Sequence, residues 1–139
     1  MSVATYRSAL IVGAGSGLSA SLARLLANQG MKIALASRST GDLADLAGKT
    51  GAKVFTCDAV KADDVGRLFS DVEAALGAPD LVIYNASFRT RGALTELVPA
   101  EVEKTIAVSA FGAFLVAQQA ARRMLPNRHG AIFFTGASA

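Results

Sequence analysis

Three glycines at alternate positions, Gly13, Gly15 and Gly17, stand where a short apolar run, Leu10-Ile11-Val12, passes into a segment carrying Leu18, Leu22, Leu25 and Leu26 on one helical face. The pattern predicts a strand, a tight turn and a helix that starts on the glycines. A side chain there would hold the backbone away from a phosphate, and tight turns often need positive φ. Bare N–H groups at the helix start, with the helix dipole behind them, favour an anion such as a pyrophosphate. The match to G-x-G-x-x-G is imperfect at Leu18, so on these residues alone an ordinary glycine-rich turn stays open.

Apolar runs and helical periods alternate along the rest of the 139 residues. Strands are expected near 8–13, 32–36, 53–57, 80–84 and 131–135. Helices are expected over 17–29, around Leu43, Leu46 and Ala47, from an N-cap at Asp63 through Leu76, and over a long stretch from about 99 to 125 that opens on Pro99. Gly30, Gly48 or Gly51, and Gly77 followed by Pro79 are the stops, and 126–130 reads as a turn. Leu81-Val82-Ile83-Tyr84 is apolar throughout, as a parallel strand covered on both faces should be. Such alternation builds right-handed crossovers. The fold class is therefore α/β: a doubly wound parallel sheet of Rossmann type, strand order 3-2-1-4-5, in three α/β/α layers, as one domain over 1–139. Ligands in such sheets bind at the carboxyl ends of the strands where the order reverses. That places the glycine turn and the turn at Asn85 on one crevice.

Composition excludes several alternatives. No apolar run is long enough for a membrane-spanning helix, and the N-terminus lacks the basic-then-apolar layout of a secretory signal, so a cytoplasmic address with no membrane partner is expected. The net charge of +3 comes from scattered Lys and Arg without interleaved aromatics, which argues for a small anionic ligand and no nucleic acid. Arg122-Arg123 is expected to complement the C-terminal dipole of the long helix. The single histidine, His129, reads as a surface turn residue and leaves no metal set; the single cysteine, Cys57, reads as a buried, inert thiol. Hydrophobic residues make up 52% of the chain, which suggests surface meant for a partner or for further chain.

Ser37-Arg38 ends the second strand about twenty residues after the glycine turn, where dinucleotide folds place an acid for a free ribose 2′-hydroxyl or a basic group for a 2′-phosphate. No acid is present, and the Arg38 guanidinium offers a planar fork with permanent charge. NADP is therefore expected over NAD, with a solvated surface arginine as the bland alternative. Asp58, after the third strand, is placed either to accept from an adenine amino group or to cap its own turn. Asn85-Ala86-Ser87 supplies the small residues needed beneath a cofactor, and asparagine also satisfies turn backbone groups.

With these residues in register over its full length, the chain resembles the short-chain dehydrogenase/reductase family. The family's T-G-x-x-x-G-x-G is similar to Val12-Gly13-Ala14-Gly15-Ser16-Gly17-Leu18-Ser19, with Val12 for threonine, Ser19 for the last glycine, and Gly15 extra. Its N-N-A-G is similar to Tyr84-Asn85-Ala86-Ser87. The resemblance implies a cofactor lined by Gly13, Gly15, Ser16, Gly17, Leu18, Arg38, Asp58, Asn85 and Ala86, and an adenine contact for Asp58. In the family's N-x-x-G-x-F, Ser109 stands where an Asn would hold a proton-relay water, before Gly112 and Phe114. The family's active-site serine falls on Ala137 by count from Gly130, and a one-residue difference in the strand-end turn puts Ser138 in the site.

The family transfers hydride between a nicotinamide and a carbonyl or alcohol, while the tyrosine of a Tyr-x-x-x-Lys pair moves the proton. Neither tyrosine here qualifies: Leu10 lies four residues after Tyr6, and Phe88 four after Tyr84. The pair is expected beyond Ala139, so the chain reads as the cofactor-binding half, truncated after the fifth strand and inactive in isolation. The Phe111, Phe114 and Leu115 face of the long helix reads as core and partner contact, and the family's use of that helix at a dimer interface implies a homo-oligomer. A non-catalytic dinucleotide-binding or regulatory module remains open, as does, more remotely, a methyltransferase using the glycine turn for a nucleoside cofactor.

Overall fold

A computed structural model describes residues 5–137. Five strands, β1 (Ser8–Val12), β2 (Lys32–Ser37), β3 (Lys53–Thr56), β4 (Leu81–Tyr84) and β5 (Ala131–Phe134), form one parallel sheet in the order β3-β2-β1-β4-β5. The expected order and reversal between β1 and β4 are as the alternation predicts. The helices are α1 (Leu18–Asn28), α2 (Ala44–Thr50), α3 (Ala62–Leu76), α4 (Pro99–Ile106) and α5 (Gly112–Asn127).

The period-two pattern of the central strands divides them between two cores. Leu10, Val12, Ala34, Ala36, Val82 and Tyr84 face α3 and α5, where Phe69 and Val116 are fully buried. Ala9, Ile11, Ile33, Leu35, Leu81 and Ile83 face α1 and α2. The central strands are thus apolar at successive positions, Ala9 to Val12, Ile33 to Ala36 and Leu81 to Tyr84, because both faces are covered.

Local details depart from the sequence reading in instructive ways. α1 buries Ala20 and Ala23, with Leu22 and Leu26 partly covered, and turns Leu18 and Leu25 to solvent. Small side chains bring the helix close to the sheet, and the leucine stripe is not the buried face. Lys61, not Asp63, is the N-cap of α3. The second acid of that first turn, Asp64, instead accepts from the Asp58 backbone amide (3.1 Å) and Arg67 (2.9 Å). Those contacts, the Asp58 amide foremost, hold its carboxyl below the ordinary value.

The long helix is not uniform, since a π-helical turn, Ala107–Phe111, separates α4 from α5. It also runs through Pro126 to Asn127. Proline withholds one amide from the exposed last turn, where Asn127 Nδ2 donates to the Arg123 carbonyl (3.2 Å) and Arg128 closes the helix at φ 50°. Arg123 does not serve the helix dipole in the expected way. It donates to Glu73 of α3 (3.0 Å) and lies over the Phe69 ring, tying the two helices together. No described helix is long and apolar enough to cross a membrane, and no metal-ligand cluster occurs among the described residues.

Candidate functional site: a divided crevice at the carboxyl edge of the sheet

The strands end at one level, and backbone hydrogen bonds carry that alignment into the turns. The Gly13 and Ala14 amides both donate to the Ala36 carbonyl, and the Asn85 amide donates to the Val12 carbonyl (2.8 Å). Gly13 has φ +88°, and a Cβ there would lie 2.5 Å from Ala86 Cα and 2.7 Å from the Asn85 carbonyl carbon. Its glycine is therefore demanded by the approach of two turns to each other. At Gly15 and Gly17 a Cβ would meet nothing within 4 Å. Packing within the chain therefore does not demand glycine at either of those two positions. Beside them α1 begins with no side-chain cap and no acid in its first turn, so its leading amides suit an anion.

Side chains lock the turns together. Thr135 Oγ1 donates to Asn85 Oδ1 (2.7 Å), Asn85 Nδ2 donates to Ser19 Oγ (2.7 Å), and Ser19 Oγ donates to the Gly13 carbonyl (3.0 Å). Ser19, which reads in the sequence only as a missing glycine, is 1% exposed and central to this relay. Thr135 reads only as the end of the fifth strand, with no sign of a tie to Asn85, 50 residues away. Asn85→Ala removes the Asn85 bonds to Ser19 and Thr135, and two lost bonds of this kind, one of them exposed, should cost about 1–2 kcal/mol in urea unfolding. A loss under roughly 0.5 kcal/mol, the scatter of ordinary surface substitutions, would show that the relay adds nothing to the fold.

The Asn85-Ala86-Ser87 turn is a partition. On one side a cavity of about 230 Å³ is lined by Gly13, Ser37, Arg38, Asp58 and Val108 among others. On the other a cavity of about 430 Å³ is lined by Leu18, Arg89, Ser109, Ala113, Phe134 and Ala137 among others. Gly15, Ser16 and Gly17 lie between Ala14 of the first cavity and Leu18 of the second. Arg38 is exposed at the rim, and no ion pair to it occurs among the described residues. Asp58 Oδ1 accepts from the Val60 amide (3.3 Å), the turn-capping role, while still lining the cavity.

Cys57 sits just past β3 and is 3% exposed. Burial, then Asp64 and Asp58, push its thiol up to about 11, so it stays protonated near neutrality. In the second cavity Arg89 is the charged lining residue. Ser109 Oγ donates to the Phe88 carbonyl (3.3 Å). Ala137, the counted position of the family serine, lines this cavity, whereas Ser138 lies outside the described residues. A larger hollow of about 860 Å³, beside Tyr6, Asp80 and His129, occupies the amino-terminal edge of the sheet, the end where open α/β sheets do not place ligands. There His129 stacks on Tyr6.

A parallel sheet with this order, a glycine turn at the reversal and cavities on both sides of the next turn define a dinucleotide-type α/β fold. The profile of the short chain dehydrogenase family matches residues 7–139, and the chain belongs to that family. It is 33% identical over 130 residues to the 3-oxoacyl-[acyl-carrier-protein] reductase MabA of Mycobacterium tuberculosis, an alignment covering 94% of this chain and 50% of that protein. It is 30% identical over 133 residues to a mitochondrial borneol dehydrogenase of Lavandula x intermedia, covering 94% and 51%. A short-chain dehydrogenase/reductase from Serratia marcescens shares the fold with a TM-score of 0.86 at 23% identity, over 94% of this chain and 55% of that one. The chain thus spans about half the length of the relatives it matches.

Proposed function

We propose that this chain is the cofactor-binding half of an oxidoreductase that prefers NADP(H) and acts on a small carbonyl or alcohol. The observation that carries the preference is Arg38, exposed at the rim of the first cavity, with Ser37 and not an acid at the end of β2. In this reading Arg38 holds the 2′-phosphate, Asp58 faces the adenine, and Gly13 and Ala14 approach the adenosine side. Gly15, Ser16, Gly17 and Leu18 receive the pyrophosphate at the start of α1, and Asn85 and Ala86 form the floor between the two cavities. A bound nicotinamide dinucleotide supplies or accepts the hydride. Ser109 orients a water beside the second cavity, and Ser138 polarises the substrate oxygen.

The open volumes at Gly15 and Gly17 and the uncapped helix start favour this assignment. The exposed Phe111 and Phe114 suit contact between copies in a cytoplasmic homo-oligomer.

The decisive test compares NADPH and NADH affinity by titration calorimetry. Loss of one charge-assisted pair is worth roughly 1.5–3 kcal/mol, so Arg38→Ala should reduce the NADPH/NADH preference about tenfold or more. An unchanged ratio removes Arg38 from the site. Binding of S-adenosylmethionine without NADPH would replace the dinucleotide assignment altogether.

A further inference from the structure

Tyr84 is the last residue of β4, in register with Val12 on one side and Phe134 on the other, and it is 3% exposed. Its hydroxyl leaves the sheet and donates to the carbonyl of Val108, inside the π-helical turn. Where a helix changes from i+4 to i+5 pairing, carbonyls at the junction leave the regular ladder, and single π turns persist where something outside the helix holds them. Gly112 completes the fit. A Cβ there would run into Tyr84 Oη and lie 3.0 Å from the Ala59 carbonyl oxygen, so only glycine lets the rod settle on both.

The turn is also a boundary. Val108 lines the first cavity, and Ser109 and Ala113 line the second.

We propose that Tyr84 is a positioning residue: by holding the Val108 carbonyl it fixes the π turn at one depth and so sets a wall of both cavities at once. The binding consequence rests on the dinucleotide reading above; the structural one does not. Burial, with smaller contributions from Cys57 and Asp58, pushes the Tyr84 hydroxyl up to about 12, so it remains a donor throughout the working pH range.

Two measurements on Tyr84→Phe separate positioning from mere packing. At a temperature where wild type and variant give the same circular dichroism, the amides of 107–112 should exchange with solvent about tenfold faster in the variant, as expected for one missing bond. NADPH should bind roughly three- to tenfold more weakly, on the same basis. A lower melting temperature with unchanged exchange over 107–112 and unchanged NADPH affinity overturns the proposal. Changed exchange with unchanged affinity also overturns it, leaving Tyr84 a structural strut only.

A second arm needs no variant. In the wild-type chain the Tyr84 hydroxyl proton should exchange slowly with water and cross-relax with the Gly112 Hα protons. A rapidly exchanging hydroxyl without that contact refutes the assignment even where Tyr84→Phe fails to fold. If wild type binds neither NADPH nor 2′,5′-ADP, the dinucleotide reading fails and the claimed effect on binding falls with it. The exchange and hydroxyl readouts then still decide whether Tyr84 holds the turn.

Discussion

Gly13→Ala is expected to lower the stability of the chain by about 3–5 kcal/mol and, with it, the proposed dinucleotide binding. Two costs add. Left-handed backbone at φ +88° is unfavourable for any residue with a Cβ, by roughly 1–2 kcal/mol. The new methyl also meets the Asn85 and Ala86 backbone, with 2.7 Å to the Asn85 carbonyl carbon. That backbone has nowhere to go, because the Asn85 amide is bonded to Val12 and its side chain to Ser19 and Thr135.

Gly15→Ala is the matching control. Its Cβ enters open space, so stability should move by no more than about 0.5 kcal/mol. Denaturant unfolding of the pair decides the matter. Similar stabilities for the two variants would mean that the turns at Gly13 and Ala86 are not packed as described.

Gly112→Ala is the second large effect, and its sign is the point. In an ordinary helix interior this exchange gains about 1 kcal/mol from propensity. Here the methyl is driven against the Tyr84 hydroxyl and the Ala59 carbonyl, one a pinned side chain and the other backbone. Overpacking of this kind costs about 1–3 kcal/mol and occasionally more, so against the propensity gain the net result should be a loss of up to about 2 kcal/mol. Neighbours that share a contact couple. In a Tyr84→Phe background the obstructing oxygen is gone, and the same Gly112→Ala should cost at least about 1 kcal/mol less. Strict additivity in that cycle would sever Gly112 from Tyr84. A net gain in the single variant would show that the rod can lift off the sheet freely.

Much of the architecture was legible because its determinants are local and repetitive. Val82, Ile83 and Tyr84 are apolar in succession since both faces of β4 are covered, and the stops at Gly51 and Gly77 fall where the structure ends α2 and α3. The crevice was legible from two short patterns that a doubly wound sheet must bring together.

What escaped the sequence depends on distance or on packing. The leucines of α1 outnumber its alanines in hydrophobic weight, yet Ala20 and Ala23 take the buried face because closeness to the sheet selects for size. The π turn has no periodic signature over five residues, and it is set by a tyrosine 24 positions upstream. Ser19 looked like a lost glycine, and its partner Asn85 lies 66 residues away. Asp63 had the chemistry of an N-cap, but the chain enters α3 with Lys61 in that place and uses Asp64 to hold the Asp58 loop instead.

The relay from Thr135 through Asn85 and Ser19 to Gly13 also has a schedule. Its two ends lie far apart in the chain, so at ribosomal rates of roughly 5–20 residues per second the glycine turn waits several seconds for its final tether. Through the first part of that interval the carboxyl edge of β1 lacks both β4 and β5, and through the rest it lacks β5. A nascent chain can therefore acquire its β1–β2 pairing and every lining residue of the first cavity before the second cavity gains Phe134 and Thr135, which arrive only once β5 has left the ribosome.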